Sequence, residues 1–155
     1  MIVVSDTTAI SNLLKVDRID LLSALFGRVI IPPAVQSELL AWHESLPAWL
    51  EVIAPMDSAR VERFRREIHI GEAEAIALGL ELHADWVLVD DSEGRRLAKT
   101  EGAHVLGLMG VLLLAKRRGQ IPEVRSLMNA LIETAGFFLS PGVRDEVIRL
   151  AGETP

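Results

Sequence analysis

The chain contains no cysteine. That excludes disulfides and thiolate metal sites and is compatible with a reducing cytoplasm, the location expected here. No basic segment followed by a long apolar run stands near the N-terminus, so a signal peptide is not expected. The most apolar stretch, residues 105–115, is broken by Gly107 and Gly110 and falls well short of the roughly 20 residues that span a bilayer. Positive charge is scarce too: 16 Lys and Arg stand against 22 Asp and Glu, a formal net charge of -6. Such a balance argues against a general electrostatic grip on nucleic acid, although a local patch could still supply one. Internal repeats and low-complexity tracts are absent. What the chain has is apolar substance. Its 155 residues, 50% of them hydrophobic, suit a single domain over residues 1–152 with a sizeable core and a frayed end at 153–155.

The first dozen residues organise the rest. Ile2, Val3 and Val4 form a short β-branched run that reads as a strand buried within a sheet, and it stops abruptly at Ser5, Asp6, Thr7 and Thr8. Ligands in open α/β sheets gather just beyond the carboxyl ends of strands, which gives Asp6 a functional reading. A second reading is equally open: Asp6 or Thr8 caps a helix over residues 9–16.

Strands and helices then alternate. Helical spacing marks residues 17–26, ended by Gly27; residues 28–31 read as a strand, and Pro32 and Pro33 open a helix over 34–44. A short extended piece is expected at 50–53 and a helix from Asp57 or Ser58 to about residue 68. Further helices are expected at 71–82, 92–100, 108–118, 124–134 and 142–151, and strands at 85–89 and 103–106, with a short edge strand at 137–139. Asp90 and Glu93 have the spacing of a capping box opening the helix at 92. The pattern implies an α/β sandwich around a mostly parallel sheet.

Several carboxylates fall where charge is unexpected. In the 34–44 helix, Ala34, Val35, Leu39, Ala41 and Trp42 define an apolar arc with Glu38 near its centre. A carboxylate aimed inward must meet a cation, accept several hydrogen bonds or be protonated, and a structural salt bridge to an arginine would suffice. In the 71–82 helix, Glu72 and Glu74 both suit the positive end of the dipole, yet the helix is apolar nearly all round, so Glu74 is a second inward candidate. Arg60, Arg63, Arg65 and Arg66 read as a solvated face paired with Glu62 and Glu67, or as a phosphate-contacting patch. His104 reads as a packed strand residue.

If Asp6 and Asp90 end neighbouring parallel strands while Glu38 and Glu74 lean in from flanking helices, four acids converge on one crevice. Ionised together they raise one another's pKa, and a hard divalent cation such as Mg²⁺ or Mn²⁺ relieves this. Such a cation could serve phosphodiester hydrolysis, with Thr7, Thr8, Ser11 and Asn12 fixing the Asp6 carboxylate by hydrogen bonds.

The order Val-Val-Ser-Asp6-Thr-Thr, the helical Glu38 after a Pro-Pro strand exit, Gly-Glu-Ala-Glu74-Ala-Ile and Val-Leu-Val-Asp90-Asp91 resembles the PIN-domain nucleases. The resemblance continues through residues 106–111 and the following Lys-Arg-Arg-Gly, and is closest to a prokaryotic PIN-like branch. It implies a three-layer α/β/α sandwich with a mostly parallel central sheet. It also implies a Mg²⁺- or Mn²⁺-dependent ribonuclease cutting RNA, in some relatives the toxin of a toxin–antitoxin pair held by a small antitoxin protein, and a homodimer. By the same resemblance Asp6 matches the first acid and Glu38 the helical acid. Glu74 stands where relatives usually carry an Asp, one methylene shorter, and Asp90 or Asp91 supplies the last ligand, Asp90 being preferred. Glu72 is a weaker candidate. The alternative is a catalytically weak PIN-like module that binds nucleic acid or a protein partner. A haloacid-dehalogenase-like phosphatase would want a second acid where Thr8 stands, and a receiver domain would want an early acidic pair.

Overall fold

Val3 and Val4 are neighbours on one strand, both fully buried, and they belong to different clusters of apolar side chains. Successive strand residues point to opposite faces, so this strand must be covered on both sides. The computed structural model describes residues 1–154 and shows how the chain does this. Among those residues the chain runs through β1 (Ile2–Ser5), α1 (Thr7–Lys15), α2 (Asp20–Phe26), β2 (Arg28–Ile31), α3 (Pro33–Trp42) and β3 (Leu50–Val52). It continues through α4 (Ser58–Arg65), α5 (Ile70–Glu81), β4 (Trp86–Leu88), α6 (Ser92–Thr100) and β5 (Val105–Leu106), and closes with α7 (Leu108–Arg117), α8 (Val124–Glu133) and α9 (Pro141–Leu150).

The five strands form one sheet in the order β3-β2-β1-β4-β5. Every pairing is parallel, with β1 between β2 and β4. Val3, Val29, Ile31 and Leu88 face a cluster shared with α1, α2, α7, α8 and α9, whereas Val4, Ile30, Val87 and Val89 face the side covered by α4, α5 and α6. The result is the three-layer α/β/α sandwich expected from the alternation of elements, with an all-parallel rather than mostly parallel sheet. α5 lies close on the sheet: a Cβ at Gly79 would come within 2.4 Å of Val87 Cγ2. Among the described residues no helix is long and apolar enough to cross a membrane.

Four local expectations need correction. Residues 137–139 form no strand, because Gly136 at φ 75 turns the chain back and Phe137 N–H bonds to Leu131 O, sealing the end of α8 instead of joining a ladder. Phe137 and Leu139 still pack on the core while Phe138 is 85% exposed. α3 buries only Val35 and Leu39, and Trp42, assigned to the apolar arc, is 82% exposed. The cap of α6 is Asp91 rather than Asp90. Glu153 is not frayed: its carboxylate accepts from Lys116 Nζ and from the N–H groups of Val124 and Arg125, capping α8 in place of Glu123, whose side chain makes no cap bond. Pro155 lies outside the described residues.

Candidate functional site

The site begins with where β1 stops. Asp6 N–H still pairs with Leu88 O of β4 at 3.0 Å, after which the chain turns into α1 with Asp6 as its N-cap, Oδ1 accepting Thr8 N–H at 3.1 Å. Capping leaves the rest of the carboxylate without a protein donor, and the side chain is only 3% exposed. Burial, then the charges of Asp90 and Glu72 and, less strongly, Glu38, hold its pKa well above the ordinary carboxylate value against the opposing Thr8 N–H.

Glu38 enters from α3. The Thr7 hydroxyl donates to its Oε2, while Oε1 lies 3.1 Å from His69 Nδ1 yet is buried with no hydrogen-bond partner. No arginine meets this carboxylate, the alternative reading of Glu38; its neighbour is a histidine that caps α5, with Nδ1 accepting Gly71 N–H at 3.4 Å. Oε1 comes so near the α5 backbone that a Cβ on Gly71 would stand 2.6 Å away.

From the first turn of α5, Glu72 reaches the same space. Its Oε2 is buried without a partner and lies where a side chain on Gly94 would sit, 2.4 Å from an ideal Cβ. Burial and the neighbouring Asp91 push its pKa up against the pull of His69. Asp91 borders the space while capping α6, its Oδ2 accepting Glu93 and Gly94 N–H at 3.1 Å each. Asp90, preferred over Asp91 as the last ligand, does not line this space: Oδ1 accepts Leu108 N–H at 2.9 Å and Oδ2 is buried and unpaired. Burial raises the Asp90 pKa, partly offset by that N–H and by Arg95.

Asp6, Thr7, Thr8, Glu38, His69, Glu72 and Asp91 line a cavity of about 120 Å³ at the carboxyl edge of the sheet. Glu74 does not join it. Residues two apart on a helix point about 200° away from each other, so Glu72 and Glu74 cannot both face the crevice. Glu74 turns to α3, where Oε1 accepts Ala34 N–H at 3.0 Å. The periodicity of α5 does not decide between the two acids because Gly71, Ala73 and residues 75–79 bury it almost all round. The flanking Gly71, small enough for a close approach, was the available signal. His69 went unremarked for want of any pattern beyond its place before a helix. Of the four residues expected to fix Asp6, only Thr8 does so, through its backbone; Thr7 goes to Glu38, Ser11 Oγ lies 3.0 Å from His43 Nε2, and Asn12 Nδ2 donates to Thr8 O.

The arginines of α4 are largely paired, Arg60 with Asp57, Arg63 with Glu101 and Arg65 with Glu62, as a solvated face would be. The crevice is therefore acidic and short of counter-charge. Three carboxylate oxygens, on Glu38, Glu72 and Asp90, are buried and unpaired, and each lost hydrogen bond of this kind costs about 1–3 kcal/mol or more for a charged group. Hard oxygen donors with no sulfur among them suit Mg²⁺ or Mn²⁺. Among the described residues no three His, Cys, Asp or Glu side chains stand close enough to enclose an ion as they are, so a bound cation would draw these carboxylates together.

Compared with known families, residues 2–153 match a family model described as a PIN domain. No curated protein matches the chain.

Proposed function

Because the chain belongs to the PIN-domain family, whose fold is in general that of a nuclease, we propose that it is a Mg²⁺- or Mn²⁺-dependent endoribonuclease. The observation that carries this reading is the set of three unpaired buried carboxylate oxygens, on Glu38 of α3, Glu72 of α5 and Asp90 in the segment after β4, at the carboxyl edge of the sheet. When bound, the cation supplies positive charge and Lewis acidity toward a phosphoryl oxygen.

The residues that would hold it are Asp6, Glu38, Glu72 and Asp91, which line the crevice, with Asp90 outside the lining. Thr7 fixes the orientation of Glu38, and the Thr8 N–H fixes Asp6. His69, at the cavity wall, sets a donor-bearing ring where a phosphate would enter. With about 120 Å³ available, the crevice admits a phosphodiester group and not a whole nucleotide, so the bases must lie outside it. The family resemblance further supports a cytoplasmic toxin role, a homodimer and a small antitoxin partner.

The test is incubation of the purified protein with mixed RNA and DNA in Mn²⁺ beside Asp6→Asn and Glu38→Gln. RNA cleavage that both variants lose is the expected result. Cleavage that persists when all divalent cations are chelated overturns the metal dependence, and no cleavage of any substrate removes the nuclease reading and leaves a binding module.

A further inference from the structure

A second cavity, of about 320 Å³, opens between α8 and α9 and shares no lining residue with the acidic crevice. Ile132, Leu139, Pro141 and Ile148 make its walls apolar, and Arg125, Arg144 and Asp145 supply its charge. Arg125 is the anomaly. Its Nε is buried with no hydrogen-bond partner among the described residues, and its guanidinium joins no ion pair there. A buried donor without an acceptor is costly, and guanidinium N–H groups are built to grip a planar anion by two parallel bonds. The position of Arg125 is fixed independently of its side chain, because its backbone N–H is held by Glu153 Oε1 at 3.0 Å. Across the cavity, Arg144 Nη2 donates to Asn129 Oδ1 at 2.8 Å, which steadies a second guanidinium while leaving its other donors uncommitted.

Charge and lining together select the ligand. Two arginines against one aspartate leave the wall one positive charge in excess, which a monoanion neutralises and a phosphate dianion overshoots. The volume holds about ten non-hydrogen atoms at roughly 30 Å³ each, and the walls ask for hydrocarbon. We propose that this cavity binds an apolar monocarboxylate, its carboxylate on Arg125 and Arg144 and its hydrocarbon body against Ile132, Leu139 and Ile148. The carboxylate belongs to a free acid or to the C-terminal end of a peptide with an apolar last residue. This proposal does not depend on the nuclease reading.

The experiment is a titration followed by NMR of the Ile132, Leu139 and Ile148 methyl groups. Phenylacetate is the first probe, with phenylacetamide and phenyl phosphate as controls and a short peptide ending in Leu, free or amidated, as the second arm. Phenylacetate is expected to shift those methyl groups, with phenylacetamide at least tenfold weaker and phenyl phosphate no tighter. Arg125→Gln should weaken phenylacetate at least tenfold. Arg144→Gln, at an exposed position that leaves the fold intact, should weaken it several-fold. A free-carboxylate peptide that binds more tightly than phenylacetate, and loses this on amidation, identifies a chain end as the source; equal affinities identify a free acid. Phenylacetamide binding as well as phenylacetate, tighter binding of phenyl phosphate, indifference to both substitutions, or no methyl shifts with any acid would overturn the proposal.

Discussion

Glu74 Oε1 accepts the backbone N–H of Ala34 at 3.0 Å, so a side chain of α5 caps α3, the helix that delivers Glu38. The residue just before α3, Pro32, has no side chain able to do this. Replacing a cap by alanine usually costs about 1 kcal/mol. Glu74→Ala is expected to lower the unfolding free energy read from urea titration by that amount, and Glu74→Gln, which keeps an acceptor oxygen, to restore most of it while retaining Mn²⁺ binding. Loss of Mn²⁺ binding in Glu74→Gln would return this acid to the ligand set.

Gly94 and Glu72 make the complementary case. A methyl group at Gly94 would meet Glu72 Oε2 at 2.4 Å, and the flexible carboxylate is what must give way, although Val89 Cγ1 at 3.0 Å is also tight. Alanine within a helix gains roughly 1 kcal/mol over glycine. Gly94→Ala should therefore leave the thermal midpoint nearly unchanged while weakening Mn²⁺ affinity about tenfold, the lower end of the range for disturbed ligand support. Calorimetric titration and a melting curve on the same sample separate the two effects.

Asp6→Asn should trade function for stability. Asparagine keeps an oxygen for Thr8 N–H and removes the charge that Asp90, Glu72 and Glu38 oppose. Without metal at pH 7 the variant is expected to be more stable than the parent by roughly 0.5–2 kcal/mol, the usual gain on relieving a functional conflict. Mn²⁺, which should raise the parent's melting temperature, should leave the variant's unmoved.

The same crowding sets a pH dependence. Asp6, Glu72 and Asp90 are all raised, with burial the largest cause in each. The folded state then keeps protons that the unfolded chain releases near its ordinary carboxylate pKa of about 4. Their contribution to stability is full below that value and is lost as pH rises through the folded pKa values. Glu153 runs the other way. Burial acts to raise its pKa, but the Val124 N–H, the Lys116 ammonium and the Arg125 N–H outweigh it, so its contribution is present above about pH 4 and lost as pH falls. The metal-free urea midpoint should fall as pH rises above the ordinary carboxylate pKa of about 4, and millimolar Mn²⁺ should abolish the fall.

Much of this was legible in the order of residues. Asp6 at a strand end and the strand over 28–31 follow from local pattern, because each is decided within a few residues, whereas the apolar arc that set Glu38 inward holds only at Val35 and Leu39. The Glu72 position was not legible, since a helix buried on nearly all sides has no face for periodicity to name. Asp90 and Asp91 were exchanged as cap for a similar reason: adjacent residues share the composition of a capping box, and only the register of β4 with β5 decides which carboxylate turns toward α7. Phe137 and Leu139 alternate with an exposed residue as a strand would, yet ladder membership depends on a neighbour that the chain places elsewhere.

The central strand has a temporal consequence. Val3 lies beside Trp86 in the finished sheet, and every neighbour of β1 arrives after it in synthesis. Contacts of such wide separation along the polymer make closure slow and place it late. The acids thus meet only once the chain has been made past Asp91 and has condensed around β1, so a half-made molecule emerging from a ribosome has no assembled crevice.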